Sequence, residues 1–339
     1  MGSCISIASS AEIHAAVAAP VDYARENVVQ YQQDTSNKFR TVGSIFSHQG
    51  PKGLNQDSAI LYQGYGNGNG NGMEDGDLCG VFDGHGSNGH FVSKLVRNRL
   101  PSLLLNQINA SSNNTSPTYN NNSENFSNYW KEAFISAFKV MDKEVKLLEN
   151  LDCSCSGTTA VVVLRQGENL IIANLGDSRA ILATKTEDDG ILPVQLTTDL
   201  KPGLPMEAER IRKCNGRVMA LKEEAHIQRV WLPHQDSPGL AMSRAFGDFL
   251  LKNHGIIAIP DVSCHQLSPN DQFLVLATDG VWDVLTNEQV ISIVSSAGNE
   301  EAAARAVVDA SIAAWKKKFP NSKRDDSTVI CLFLDKKTT

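Results

Sequence analysis

The chain has no basic block, no membrane-length apolar run, no Cys-x-x-Cys pair and no glycine-rich phosphate loop. Each absence removes a class of function. Across 339 residues the formal net charge is -7. The electrostatic footprint of a nucleic-acid binder is missing, and no such partner is expected. No segment reaches the roughly 20 apolar residues that a bilayer-spanning helix needs. The first residues lack a charged stretch followed by a long apolar core, so no secretory signal is read there. Seven cysteines are scattered, with Cys153-Ser154-Cys155 the closest spacing. They suit neither a thiolate zinc site nor a disulfide framework. A reduced, intracellular protein is expected, with its cysteines mostly buried as small apolar residues. Nucleotide binding through a P-loop or a kinase-type loop has no motif to support it. No internal repeat is evident, and no linker divides the folded part.

What is present is a large core. Hydrophobic residues make up 41% of the chain, enough for one large domain or two small ones. Apolar runs at Thr41–His48, Leu78–Phe82, Phe273–Ala277 and Thr328–Leu334 read as strands. The short β-branched runs Ala160–Leu164, Asn169–Asn174 and Arg179–Thr184 predict an antiparallel meander. Helical spacing marks 88–105, Phe126–Leu148, Glu207–Cys214 and Glu300–Lys317, and Thr286 with Gln289 forms a capping box. Between the first two helices, residues 106–124 are Ser/Asn-rich and read as a disordered loop insert. The Gly/Asn-rich stretch Tyr65–Asp77 reads as a flexible hairpin tip. The pattern is α+β, with strands and helices in separate layers.

Residues 1–38 carry no strong periodicity and read as a tail, leaving 39–337 as the folded domain. Met1-Gly2-Ser3-Cys4-Ile5-Ser6 matches the N-myristoylation pattern, with Cys4 placed for palmitoylation. Two acyl chains give stable anchoring where one gives marginal binding. The expected location is the cytoplasmic face of the plasma membrane, or the cytoplasm or nucleus if the tail is unmodified.

Five carboxylate turns carry the chemistry: Asp57, Asp83-Gly84, Gly176-Asp177, Asp279-Gly280 and Asp325-Asp326. Most flank an apolar strand. Five in one acidic chain suggest strand ends converging on a cation cluster, because carboxylates gathered in a low dielectric need neutralising. Oxygen ligands favour Mg²⁺ or Mn²⁺ over zinc. Carboxylate-bound metal pairs chiefly serve phosphoryl chemistry. His85, two residues after Asp83, is suited to proton transfer near neutral pH. The bland alternative for Asp83-Gly84-His85 alone is a polar strand-to-helix turn.

Seven motifs in order then resemble the metal-dependent serine/threonine protein phosphatases of type 2C. They are Asn55-Gln56-Asp57, Val81-Phe82-Asp83-Gly84-His85-Gly86, Ser156-Gly157-Thr158-Thr159-Ala160, Asn174-Leu175-Gly176-Asp177-Ser178-Arg179, Leu240 to Asp248, Thr278-Asp279-Gly280-Val281-Trp282-Asp283 and Arg324 to Val329. Gly53–Ser58 and Arg229-Val230-Trp231-Leu232-Pro233 look most like the plant branch. The resemblance implies a central antiparallel β-sandwich flanked by helices, with metals at one end. It also implies a monomer that acts on phosphorylated proteins and binds two Mg²⁺ or Mn²⁺ ions. Asp83 would bridge both metals, the Gly84 carbonyl would bind one, and Asp279 and Asp325 would complete the other. Asp177 and Asp283 match positions linked to a weaker third metal. Asp57 would hold a metal-bound water, and His85 would protonate the leaving Ser/Thr oxygen as a metal-held hydroxide attacks.

Three positions depart from the pattern. Lys52 stands where the family often has a phosphate-gripping arginine, and lysine lacks the bidentate fork. Gln56 replaces a glutamate found in some members. Asp199-Leu200-Lys201-Pro202 lacks a common histidine. A catalytically dead scaffold and a hydrolase of small phosphorylated molecules remain as alternatives, although every proposed direct metal ligand is intact.

Overall fold

The computed structural model describes residues 27–32, 42–66, 76–112, 123–222 and 224–334. The first half runs β1 (Val28–Gln32), β2 (Val42–His48), β3 (Asp57–Gln63), β4 (Gly76–His85), α1 (Gly89–Ser112), α2 (Ser123–Lys146), β5 (Gly157–Thr158), β6 (Ala160–Gln166), β7 (Asn169–Leu175), β8 (Arg179–Lys185) and β9 (Ile191–Gln195). The second runs α3 (Pro205–Lys213), β10 (Arg217–Ala220), β11 (Gln228–Trp231), β12 (Pro238–Leu240), β13 (Phe246–Gly247), α4 (Phe249–Lys252), β14 (Asp261–Gln266), β15 (Asp271–Ala277), α5 (Asp279–Trp282), α6 (Asn287–Ser295), α7 (Ala303–Lys318) and β16 (Ser327–Phe333).

Two sheets stack face to face. One runs β1-β3-β4-β6-β7-β14, with β5 joined to β4 and β13 to β5; the other runs β2-β16-β15-β8-β9. Successive strand residues point to opposite faces, and here both faces are covered. On β4, Cys79 and Val81 face the opposing sheet while Leu78 and Phe82 pack under α1 and α2. On β16, Ile330 and Leu332 face inward while Val329 and Cys331 pack against α6 and α7. With no solvated face, these strands read as unbroken apolar runs. The result is a helix–sheet–sheet–helix stack, the expected α+β sandwich, and its only parallel pairing among the described strands is β1 with β3. A small third sheet, β10-β11-β12, packs with α3 on a separate apolar cluster around Ile211, Val230 and Leu251.

Three local readings differ. The predicted meander breaks after its second strand: β6 and β7 pair, but β8 joins the other sheet between β15 and β9. Gly176, at φ +113°, lies against Thr159 and lets the chain cross there. The insert read over 106–124 is partly helical. α1 continues to Ser112 because α2 takes up its polar end: Ser136 Oγ donates to Gln107 Oε1 at 2.8 Å, and Tyr129 Oη donates to the Ile108 carbonyl at 2.9 Å. Residues 113–122 lie outside the described residues. Finally, the folded part begins earlier than residue 39, since β1 lies within the segment read as tail and pairs with β3. The acylation motif at Gly2 and Cys4, most of the 65–77 tip and residues 335–337 are outside the described residues.

Predicted helices α2, α3, α6 and α7 appear within a few residues of their expected bounds, and the Thr286–Gln289 capping box is formed in both directions. Of the six described cysteines, Cys79, Cys153 and Cys331 are buried, while Cys155 and Cys264 are exposed and Cys214 is half-buried. Burial thus holds for half of them rather than most. Among the described residues no helix is long and apolar enough to cross a membrane.

Candidate active site

Strand register brings the carboxylate turns to one end of the sandwich. Asp57, the first residue of β3, stands directly opposite Asp83 near the end of β4. In the other sheet Ala277 stands opposite both Val329 and Arg179. Asp279 after β15, Asp325 before β16 and Asp177 before β8 therefore emerge together. The two sheets are tied at this end by Thr278 Oγ1, which donates to Asp57 Oδ2 at 2.8 Å.

The turns are shaped by close backbone approach. A side chain at Gly84 would collide with the carbonyl of Gly89 and come within 2.6 Å of that of Gln56. One at Gly280 would run into the carbonyl of Asp326. Glycine is required at both by space rather than by a positive φ. Asp326 is buried and structural: it accepts from the backbone N–H groups of Gly50 at 2.7 Å and Gln56 at 2.8 Å. That leaves Asp325 as the member of the pair that faces the cluster, where its carboxylate is ion-paired with the exposed Lys52.

Electrostatics show how closely these groups face one another. Burial raises the Asp57 carboxyl to about 8, with Asp326 and Asp325 adding to the rise and hydrogen bonds from Thr328 and Thr278 opposing it. Asp83 is half-buried at the mouth, yet the surrounding protein desolvates it. Burial, then Asp279, Asp57, Asp325 and Asp177, push it well above the carboxylate range. Asp279 is raised well above its usual value in the same way, by burial and then by Asp177, Asp325, Asp283 and Asp57. Asp177 is raised to about 6, first by burial, with Lys201 opposing. Asp283 lies at the rim, its Oδ1 3.9 Å from Lys201 Nζ. Burial raises its carboxyl too, against the pull of Lys201.

Among the described residues no three His, Cys, Asp or Glu side chains form a closed ligand set. Like charges in a low dielectric hold one another apart. Two observations nevertheless fit a hard cation. Asp177 Oδ1 is buried without a hydrogen-bond partner, a costly position for a carboxylate oxygen unless something compensates it. The group also consists of oxygen donors that disfavour their own charge together, which is the condition a divalent ion relieves.

His85 sits beside this cluster, paired through β4 to Gly157 of β5. Its Nε2 lies 2.6 Å from Asp248 Oδ2, and its Nδ1 is buried without a partner among the described residues. Burial alone would depress the imidazole pKa, but the Asp248 carboxylate outweighs it and the net shift is upward. Gly157 lies close to both partners: a Cβ there would fall 2.5 Å from Asp248 Oδ2 and 2.9 Å from His85 Nε2. Asp248 is a candidate member of the site that sequence reasoning quoted within a motif but gave no role. It follows a two-residue strand and has left-handed backbone at φ 50°, so no apolar run points to it. All nine residues expected at the site lie at this end of the sandwich. Asp57, Gly84 and Asp177 are buried, Asp83, His85, Asp279 and Asp325 are half-buried at the mouth, and Asp283 and Lys52 stand at the rim.

Residues 45–318 match the family model described as "Protein phosphatase 2C". The chain belongs to the protein phosphatase 2C family, the metal-dependent serine/threonine protein phosphatases, and falls with its plant members. It is 52% identical to "Probable protein phosphatase 2C 72" of Arabidopsis thaliana over 99% of both chains. It is also 52% identical to "Probable protein phosphatase 2C 61" of the same organism, over 93% of this chain and 91% of that one. A crystal structure of serine-threonine phosphatase 2C from Toxoplasma gondii superposes with a TM-score of 0.77 at 26% identity, covering 89% of this chain and 96% of that one.

Proposed function

We propose that the chain removes phosphate from phosphoserine and phosphothreonine on proteins, at the carboxylate end of the sandwich, with two Mg²⁺ or Mn²⁺ ions held there. The observation that carries this reading is the meeting of Asp57, Asp83, Asp177, Asp279 and Asp325 from five strand ends, with Asp177 Oδ1 buried and unpartnered. Asp83, the Gly84 carbonyl, Asp279 and Asp325 would hold the pair, and Asp177 with Asp283 a weaker third ion. Bound there, the ions would make water acidic enough to attack near neutral pH and would clamp the phosphate in line.

The chain's own residues do the rest. Lys52 exchanges its partner Asp325 for a phosphate oxygen and so positions the substrate. Asp57, fixed by Thr278, orients the attacking water. The Asp248 carboxylate favours the charged form of His85, and His85 protonates the leaving Ser/Thr oxygen. The test is hydrolysis of a phosphothreonine peptide. Turnover is expected with Mn²⁺ and abolished by EDTA. Turnover of small phosphorylated metabolites but not of the peptide would give the site another substrate.

We further propose that Gly2 is myristoylated and Cys4 palmitoylated, supported by the sequence pattern alone. Myristate by itself would give reversible membrane binding of K on the order of 10⁴ M⁻¹, so residence would depend on Cys4. Fractionation of a C-terminally tagged protein tests it. Gly2→Ala is expected to release the enzyme from membranes, and a wholly soluble wild type with an unmodified amino terminus would refute the anchor.

A further inference from the structure

A groove of about 500 Å³ runs beside the carboxylate cluster, between the loop after β2 and the C-terminal end of α7. His48, Pro51, Trp315, Lys316, Phe319 and Arg324 are the lining residues that matter. The groove is bolted to the site on three sides. Lys52, next to Pro51, is ion-paired with Asp325, and Arg324 directly precedes Asp325. Gly50 N–H donates to Asp326 Oδ1 at 2.7 Å. Trp315 Nε1 donates at 2.7 Å to the carbonyl of Gly280, the residue after Asp279.

Its charge runs against that of the whole molecule. The chain carries a net -7, yet the two Lys or Arg side chains that line the groove, Lys316 and Arg324, face no lining Asp or Glu, and Lys317, Lys318 and Lys323 flank them in sequence. The facing loop, 48–54, adds Lys52 and no acid. Arg324 is held in place, its Nη2 donating to the Gln49 carbonyl at 2.9 Å. Between the cations lies a stiff apolar wall, with the Trp315 and Phe319 rings 5.2 Å apart at 46° and Pro51 opposite. An extended peptide that carries carboxylates and buries some apolar stem fits such a lining. The chain's own last residues do not, because Lys336 and Lys337 repeat the groove's sign.

We propose that this groove binds an acidic stretch of the substrate protein, a few residues from the phosphorylated side chain, and so selects among phosphoproteins. The inference rests on the phosphatase reading of the adjoining site. A phosphate gripped at Lys52 places the neighbouring substrate backbone at the groove's mouth, since Pro51 and Arg324 each lie one residue from a member of the Lys52–Asp325 pair.

The experiment uses the full chain and two matched phosphothreonine peptides, one with Asp and Glu beside the phosphoresidue and one with Asn and Gln. The wild type is expected to show a KM roughly threefold to tenfold lower for the acidic peptide, at similar kcat. The gap should narrow as salt shortens the screening length. Lys316→Glu is expected to erase or reverse the preference while leaving turnover of p-nitrophenyl phosphate and of the neutral peptide unchanged. Fluorescence anisotropy with the unphosphorylated acidic peptide reads the groove without turnover, so a failure of catalysis cannot pass for a failure of docking. Equal KM for both peptides, or a preference untouched by Lys316→Glu, overturns the proposal. Salt-independent binding of the neutral peptide in place of the acidic one would assign the groove to an apolar partner and overturn it too.

Discussion

Nε2 of His85 lies 2.6 Å from Oδ2 of Asp248, although 163 residues separate the two in the chain. Asp248 is 1% exposed and brings a carboxylate to an imidazole that burial alone would hold neutral. The pair is assembled by β5 and β13, whose residues Thr158 and Gly157 pair with Phe246 and Gly247. Each of these strands is only two residues long.

Asp248→Asn tests what that carboxylate does. A general acid works while protonated, so its contribution falls as pH rises through its pKa. Asp248 holds the His85 pKa above the ordinary 6.5, and without it burial would bring the pKa down. The alkaline fall in peptide-phosphate hydrolysis should therefore move to lower pH in the variant, with turnover at pH 8 down by about tenfold or more. p-Nitrophenyl phosphate, whose leaving group needs no proton, should be affected much less. Superimposable pH profiles for the two proteins would leave Asp248 a structural residue.

Asp83→Asn should abolish activity and at the same time stabilise the metal-free fold. The folded pKa of Asp83 is raised, chiefly by burial and then by Asp279. Its ionised form is thus destabilising wherever pH exceeds the unfolded value, and an amide removes that charge. Thermal unfolding in EDTA is expected to show a higher Tm for the variant, and Mn²⁺ should raise that Tm less than it raises the wild type's. A variant that keeps both the wild-type response to Mn²⁺ and near wild-type turnover would remove Asp83 from the metal site.

Lys52→Ala should raise KM for phosphorylated substrates by about threefold to tenfold, because one exposed cation to the phosphate is lost. Lys52→Arg should keep or lower KM, since guanidinium can grip two phosphate oxygens. Steady-state kinetics on the peptide checks both. Unchanged kinetics in the alanine variant would reduce Lys52 to a surface partner of Asp325.

Glu207 offers a stability test away from the chemistry. It accepts from Arg210 at 2.6 and 2.7 Å, from Arg244 at 2.7 and 3.0 Å and from Ser243 Oγ at 2.6 Å, joining α3 to the segment before β13. Burial raises its pKa, but Arg244, Arg210 and Ser243 outweigh that and bring it from 4.5 to about 2. For a depressed acid the stabilisation is complete above the unfolded pKa and is lost as pH falls toward the folded one. The shift corresponds to about 3 kcal/mol. Glu207→Gln should lower stability by about that amount at pH 7, and the gap to wild type should close between about pH 4.5 and pH 2, measured by urea unfolding. A pH-independent gap would point to lost packing instead.

Much of this was legible in the chain itself. Strands covered on both faces must be apolar throughout, so an abrupt Asp-Gly at the end of Leu78–Phe82 or Phe273–Ala277 announces a strand delivering a carboxylate. Local rules also marked the helices and the Thr286–Gln289 cap, because hydrogen bonds within one turn depend only on neighbours in sequence. Pairing is another matter. That β8 leaves β7 for β15, and that Asp57 meets Asp83 across one rung, are facts of register between distant segments. The same holds for α1, whose polar last turns became helical only against Tyr129 and Ser136 of α2. Asp325 and Asp326 are chemically identical side by side. The backbone amides of Gly50 and Gln56 claim one and leave the other to Lys52. Sequence determined which residues could do the chemistry, through residue type and local pattern. Tertiary structure alone decided which of them face one another and with what pKa, because burial and charge–charge distance exist only once the strands are registered.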